Sequence, residues 1–234
     1  KEVKDSNNED GYYHYGKIKY KTYKIGDEIT YNGINFYVIE NSDENSDSVT
    51  LLKREPLKVA EVNKYGGVGT ENNHVNMYEL PSPSYYQKAY DHNGYGGMAY
   101  YSSSTCGYNG SEWIYDGCTT DYAKSEVKYV VDAWSLDKLK ASDLKEDKTG
   151  YRVRLITYDE LINNLGCSRY SCASSPYKIF LFNSNYWYWT MNRYEDSASN
   201  VWRVYYYNGI VDGSPVYHNS GSVRPVITIK KSAI

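Results

Sequence analysis

Only one stretch of the chain carries a long helical stripe. Between Asp121 and Leu139, the residues Val127, Val130, Val131 and Trp134 recur every three or four positions and so share one helix face. Thr119, Thr120 and Asp121 offer N-caps, and Lys138 and Lys140 stand near the end where the helix dipole favours cations. A second, shorter helix is expected behind the capping box Thr157-Tyr158-Asp159-Glu160, with Leu161, Ile162 and Leu165 behind it and Gly166 as its stop. Nearly all other patterned stretches alternate with period two, as strands do. Glu28–Tyr31 and Ile34–Glu40 flank Asn32-Gly33, the strongest short hairpin signal. Val49–Lys53, Tyr151–Ile156, Ile179–Phe182 and Val223–Ile229 read as further strands. Trp187, Trp189 and Trp202 alternate with smaller or polar residues, as half-buried strands do. The order is strands, helix, strand, helix, strands, which predicts an α+β fold with little helix.

Residues 1–24 are polar or alternate Tyr with Lys, and read as a tether or linker. Residues 25–234 show no repeat and no Pro/Ser linker and are expected to form one domain. Residues 63–120 are long, Gly- and Tyr-rich and weakly patterned, as a functional or disulfide-pinned loop region would be. At 41% hydrophobic residues, a real core is affordable, and 30 tyrosines account for part of the low mean hydropathy of −0.72. A net charge of −3 and a pI near 5.9 argue against a nucleic-acid partner. No apolar run is long enough to span a membrane. The chain opens on Lys1 without a signal-peptide pattern, as a mature or excised segment would.

The four cysteines fall in two close pairs with turn residues between their members. Neither pair has the short knuckle or nearby histidines of a metal site. Two local disulfides, Cys106–Cys118 and Cys167–Cys172, are therefore expected, and with them an extracellular setting.

Catalytic patterns are weak. With all cysteines paired, a Cys–His nucleophile has no free thiol. No G-x-S-x-G elbow occurs, and Gly66-Gly67-Val68-Gly69 lacks the lysine and following helix of a phosphate loop. The 29 acidic residues single out no carboxylate pair for glycoside hydrolysis. Asp43, Asn45 and Asp47 begin like a calcium loop, but no glycine follows at the sixth position and Arg54 stands where the bidentate glutamate belongs. His74 and His92 read as hydrogen-bonding loop residues. No enzyme activity and no cofactor are expected, and a structural calcium ion is not predicted.

From Asn200 to Ser222, 13 of 23 residues are Tyr, Ser, Asn or Gly. Antibody paratopes use this mixture: tyrosine gives stiff contact area with two torsions to freeze, and the small polar residues give adaptable hydrogen bonds. A binding surface is one reading, and a Tyr-rich sheet with ordinary hairpins is the other.

The run "YWTMNRYEDSASNVWRV" through "GSVRPVITIKKS" resembles the C-terminal half of a bacterial surface family. In that family a C-type-lectin-like domain, of the formylglycine-generating-enzyme-like branch, carries a region rewritten by a diversity-generating retroelement. The phrases "YKIGDEITYNGINFYVIE", "VTLLKREPL", "YGGVGTENNHVNMY", "YGGMAYYSSSTCG", "DGCTTDYAKSEVKYVVDAW" and "RLITYDELINNLG" also resemble such proteins from gut Firmicutes, where the domain often follows a prepilin-like helix. The resemblance covers nearly all of residues 23–234. It implies a C-type lectin fold with paired terminal strands, two helices and long irregular loops. It also implies ligand display on the cell surface, with an unknown protein or glycan as partner. A segment missing from the N-terminus would tie the domain into a pilus or a membrane-anchored assembly. No cysteine follows Cys172, so the catalytic cysteines of formylglycine-generating enzymes are not carried over.

Retroelement mutagenesis of AAC-like codons cannot give Lys, Glu, Gln, Met or Trp by changes at the first two bases. None of these occurs from Arg203 to Ser222, although they make up 42 of the 234 residues. The candidate variable positions are Asn192, Arg193, Tyr194, Tyr205, Tyr206, Tyr207, Asn208, Ile210, Asp212, Ser214, Tyr217, His218, Asn219 and Ser220. Trp187, Trp189, Trp202, Arg224 and Pro225 would be framework, with Arg224 tying loops together through its donors or forming a surface ion pair. Replacing Tyr205, Tyr206, Tyr207 and Tyr217 with Ala is expected to leave the fold intact and remove binding. Two alternatives stand beside this: an invariant pilin or adhesin tip whose tyrosines only pack, and a carbohydrate-active enzyme.

Overall fold

The structure, a computed structural model, describes residues 3–4, 15–16, 18–65, 90–92, 94–101, 106–108, 111–114, 118–182, 187–205, 209 and 211–234. In chain order the strands are β1 (Val3–Lys4), β2 (Tyr15–Gly16), β3 (Glu28–Tyr31), β4 (Ile34–Val38), β5 (Ser48–Lys53), β6 (Tyr90–His92), β7 (Tyr95–Met98), β8 (Gly107–Tyr108) and β9 (Trp113–Ile114). They continue as β10 (Val153–Leu155), β11 (Tyr188–Arg193), β12 (Asn200–Val204), β13 (Val211–Pro215), β14 (Gly221–Ser222) and β15 (Pro225–Lys230). The α-helices are α1 (Val59–Tyr65), α2 (Glu126–Lys138) and α3 (Lys178–Leu181).

Asn32 and Gly33 take φ of 49° and 74°, and this left-handed pair closes the β3–β4 hairpin in the expected register. β4 pairs with β5, β5 with β15 and β15 with β10, giving a five-stranded antiparallel sheet ordered β10-β15-β5-β4-β3. Among the described residues the expected pairing of terminal strands is not found. β15 lies between β5 and β10, with β5 and β4 between it and β3, because the β3–β4–β5 meander keeps β3 at the sheet edge. Ahead of this sheet, Tyr23 is buried and bridges Ser42, so the polar leading segment touches the domain at its end. The second sheet is ordered β13-β12-β11-β14-β7-β6, with β11 and β14 parallel and the other pairs antiparallel. The described residues thus form a mixed α+β chain.

Both sheets bury residues on both faces, although β3 alternates buried and exposed residues at its edge and β12 and β13 are only partly covered. One core joins Phe36, Leu51 and Ile227 to Trp189 and Val201, with Val127, Val130, Val131 and Trp134 of α2 filling it. The other joins Tyr37, Leu52 and Val226 to Tyr188, Trp202 and Val204, with Leu161, Leu165 and Phe180. Consecutive residues therefore alternate between two cores, not between core and water. The tryptophans are not half-buried: Trp189 is 0% and Trp202 1% exposed, on opposite faces.

α2 starts later than the stripe suggested. Asp121 caps a 3₁₀ turn at Tyr122–Lys124 by accepting from Ala123 N–H, and Ser125 Oγ caps α2 itself by accepting from Lys128 N–H at 3.1 Å. The capping box forms as expected. Glu160 Oε2 accepts from Thr157 N–H at 2.9 Å, and Thr157 Oγ1 accepts from Glu160 N–H at 3.0 Å. Its segment winds as a π-helical turn, Glu160–Asn164, and ends at Gly166 with φ of 65°. Glu160 also takes a two-pronged bond from buried Arg154, whose Nε donates to Asp147 at 2.7 Å. The segment Ile179–Phe182 is not a strand. Lys178–Leu181 forms the helical turn α3, which buries Phe180 and Leu181 and exposes Ile179. A four-residue apolar run fits either form. α1 is a helix that the sequence pattern did not reveal. His92 lies in β6, not in a loop, whereas His74 and Gly66–Gly69 fall outside the described residues.

Both disulfides form as expected, Cys106–Cys118 and Cys167–Cys172. They fit an oxidising, non-cytoplasmic setting. Among the described residues no helix is long and apolar enough to cross a membrane.

Candidate functional site

Gly221 sets the seat for the stretch from Trp187 to Arg224. A Cβ there would stand 2.1 Å from Trp189 Nε1 and 2.7 Å from the Trp187 ring, so both indoles pack on bare backbone. The Trp189 Nε1–H donates to Met98 O at 2.9 Å, and the two indoles meet edge to face at 4.7 Å. Arg224, 0% exposed, fixes the far side. Its Nε donates to Lys53 O at 2.8 Å, and its Nη2 donates to Arg54 O at 2.9 Å and Phe180 O at 2.8 Å. It ties the end of β5 to α3 and is no surface ion pair.

On the Trp187 side of the sheet, Arg203 of β12 stands across from Asp212 of β13. Nε donates to Oδ1 at 2.6 Å and Nη2 to Oδ2 at 3.2 Å. The same guanidinium lies 4.8 Å from the Trp187 ring centroid and 5.1 Å from that of Tyr205. Its rotamer is thus held from two sides while 20% of the side chain meets solvent. His218 is exposed beside it. Partial desolvation and the Arg203 charge push its imidazole below the ordinary value. Its Nδ1 lies 3.2 Å from Ser214 Oγ. Since Ser214 is 0% exposed, no substrate reaches that hydroxyl, and the contact orients the ring.

The opposite face centres on Trp202. Tyr158 stacks on it at 4.3 Å, Tyr194 meets it edge-on at 4.5 Å, and Tyr170 leans against it at 6.0 Å. Asn192 Oδ1 accepts from Tyr158 N–H at 2.8 Å, and an exposed Arg169–Glu195 pair at 3.1 Å rims the group.

The candidate positions therefore divide. Tyr205, Asp212 and His218 surround Arg203 on one face, whereas Asn192 and Tyr194 belong to the other. Arg193 is exposed where the β11–β12 register shifts, and Asn219 and Ser220 are half-buried in the turn into β14. Tyr206, Tyr207, Asn208 and Ile210 lie outside the described residues. Ser214 and Tyr217 do not fit a contact role, because both are buried; Tyr217 is 9% exposed within the core between the sheets. Their composition matches the neighbouring turns, and their place in the fold sends them inward: Ser214 lies opposite Val201 at the buried end of β13, and Tyr217 packs into the core beyond that strand. Arg203, Tyr158 and Tyr170 were not among the expected site residues. Arg203 is flagged in the sequence only by its separation from Asp212 across a Gly-containing turn.

The expected calcium mimicry resolves into local bonds. Asp43 Oδ1 accepts from Asn45 N–H at 2.8 Å and Ser46 N–H at 3.0 Å, and Asp47 pairs with Lys145. Among the described residues, no three His, Cys, Asp or Glu side chains converge as a metal site. Comparison with known protein families, curated proteins and solved structures finds no match to this chain.

Proposed function

We propose that this chain is a ligand-binding domain of the C-type-lectin-like class, displayed on a bacterial cell surface and without enzyme activity of its own. Its contact surface is the 192–220 stretch, diversified by a retroelement. One observation carries the reading: Tyr205, Asp212 and His218 gather around a rotamer-locked Arg203 on ground made of buried indoles. A rigid frame under adaptable polar and aromatic side chains is what variable recognition needs, since the frame lowers the ordering cost of each new contact. The Arg203–Asp212 pair is close to neutral, so aromatic contacts and hydrogen bonds drive binding more than net charge does.

The test is deep sequencing of this gene across one natural population. Substitutions should cluster at Asn, Tyr, Ser, Asp and His codons within residues 192–222, with Trp187, Trp189, Trp202 and Arg224 flat. Burial adds a sharper expectation: Ser214 and Tyr217 should vary far less than Tyr205, Asp212 and His218. An unvarying stretch would end the diversification reading and favour the invariant pilin or adhesin tip.

A further inference from the structure

The outer edge of the six-stranded sheet is β13, and three hydrogen bonds reveal which of its backbone groups face outward. Val216 N–H donates to Ser199 O at 2.9 Å, Tyr194 N–H donates to Asn200 O at 3.0 Å, and Val211 N–H donates to Tyr170 O at 3.1 Å. Combined with the register from Asn200↔Pro215 to Val204↔Val211, this parity turns Asp212 and Ser214 toward β12. Val211, Gly213 and Pro215 turn away from it. Tyr170 occupies the Val211 donor. Pro215 has no N–H, and its carbonyl accepts from His218 N–H at 3.0 Å. Among the described residues, the N–H and C=O of half-buried Gly213 are left facing outward in the middle of the edge, whereas Val211 is 0% exposed and its C=O is covered.

We propose that this edge accepts an extended segment of a protein ligand as an added antiparallel strand, one ligand residue exchanging both backbone bonds with Gly213. The occupant follows from the chemistry: a donor and an acceptor on one residue are matched by the C=O and N–H of one residue in an extended chain. Gly213 has no side chain, and the Tyr194 ring lies over it, within 2.5 Å of where a Cβ would stand. The ligand residue opposite Gly213 therefore rests its side chain against Tyr194, which favours an apolar or aromatic residue. Its neighbours fall on the Asp212 and His218 face, which favours polar ones. Tyr170 and Pro215 close the two ends of the free stretch and so fix the docking register. The inference rests on the contact-surface reading above and narrows its ligand class to polypeptide.

Linear peptides selected from a displayed random library against the intact disulfide-bonded domain provide the probe. The tightest is resynthesised with single backbone N-methyl groups at successive positions, and each version is titrated. Hydrogen exchange of the Gly213 amide is followed by NMR with and without peptide. N-methylation at one position, the residue opposite Gly213, should weaken binding about ten-fold or more, with little effect at its neighbours, and the Gly213 amide should slow on saturation. Recovery of no peptide, affinity indifferent to N-methylation, or unchanged Gly213 exchange would each overturn edge pairing. Tyr205→Ala and His218→Ala separate the two readings. Binding that these variants abolish but N-methylation ignores keeps the contact surface and removes the added strand. Binding that responds to N-methylation but not to these variants does the reverse.

Discussion

Lys53 makes the stability of this domain rise with pH over a range where most proteins are level. Its ammonium is buried at the end of β5 and donates to Glu55 O at 2.7 Å and Pro56 O at 3.3 Å. Burial, helped by the Arg224 and Lys58 charges and opposed by Glu61 and Glu55, pushes it down to about 8. An unfolded lysine titrates near 10.4. Between these values the unfolded chain binds more protons than the folded one, so stability increases as pH rises. At about 1.4 kcal/mol per unit, the gain is about 2 kcal/mol from about pH 7 to about pH 9.5. Above about pH 10 the sign reverses: unfolded tyrosines ionise there, whereas burial and Glu55 push Tyr95 up to about 12. The assay is urea unfolding followed by tryptophan fluorescence with disulfides intact, on wild type and Lys53→Met. The difference between the two proteins should grow by about 2 kcal/mol across that window in favour of wild type. A difference that stays flat refutes the reasoning, because the folded lysine would then titrate as an ordinary one.

Other expectations concern the frame. Arg224→Met strands two buried carbonyls and one part-buried one and should cost about 3–5 kcal/mol in thermal or urea unfolding; a loss under about 1 kcal/mol would mean β5 and α3 hold together without it. Gly221→Ala drives a methyl into Trp189 and should cost at least about 1–3 kcal/mol, with loss of the near-ultraviolet tryptophan signal. Tyr217→Ala should cost about 3 kcal/mol by denaturant titration, whereas Tyr205→Ala should stay within about 1 kcal/mol. Replacing Tyr217 together with Tyr205, Tyr206 and Tyr207 would therefore confound folding with binding. Burial pushes the Asp147 carboxyl up, but Arg154 and Thr149 outweigh it and hold it below the ordinary range. Its stability contribution is present above the unfolded value and lost as pH falls through the folded one, so Asp147→Asn should flatten the acid limb of the unfolding curve.

The elements legible in the sequence are those whose signals are local. Asn32-Gly33 needs only its own two residues to turn, the Thr157/Glu160 box only its own side chains, and the α2 stripe only its spacing. The Ile179–Phe182 turn is not legible locally because its shape is held from outside, with Arg224 donating to the Phe180 carbonyl forty-four residues back. The site divides along the same line. That 192–220 is rich in paratope-like residues is visible in composition, but which face each residue takes depends on parity across β12 and β13. Ser214 and Asp212, two positions apart, point to the same side; what separates them is that Ser214 sits beneath the core while Asp212 reaches the rim with Arg203. Two-sided burial also hid the tryptophans' depth, since alternation between two cores looks in sequence like alternation between core and water.

The loop closed by Cys167 and Cys172 has a consequence for how this protein can change. Cys172 N–H donates to Gly209 O at 2.7 Å, and Tyr170 O accepts from Val211 N–H at 3.1 Å. The chain is thus pinned on both sides of position 210 by a covalently closed ring that lies outside the proposed contact stretch. The strand that follows is timed from this ring, like a ruler laid from a fixed zero. Under the proposed diversification, exchange of residues 206–208 would leave in place the point at which β13 resumes.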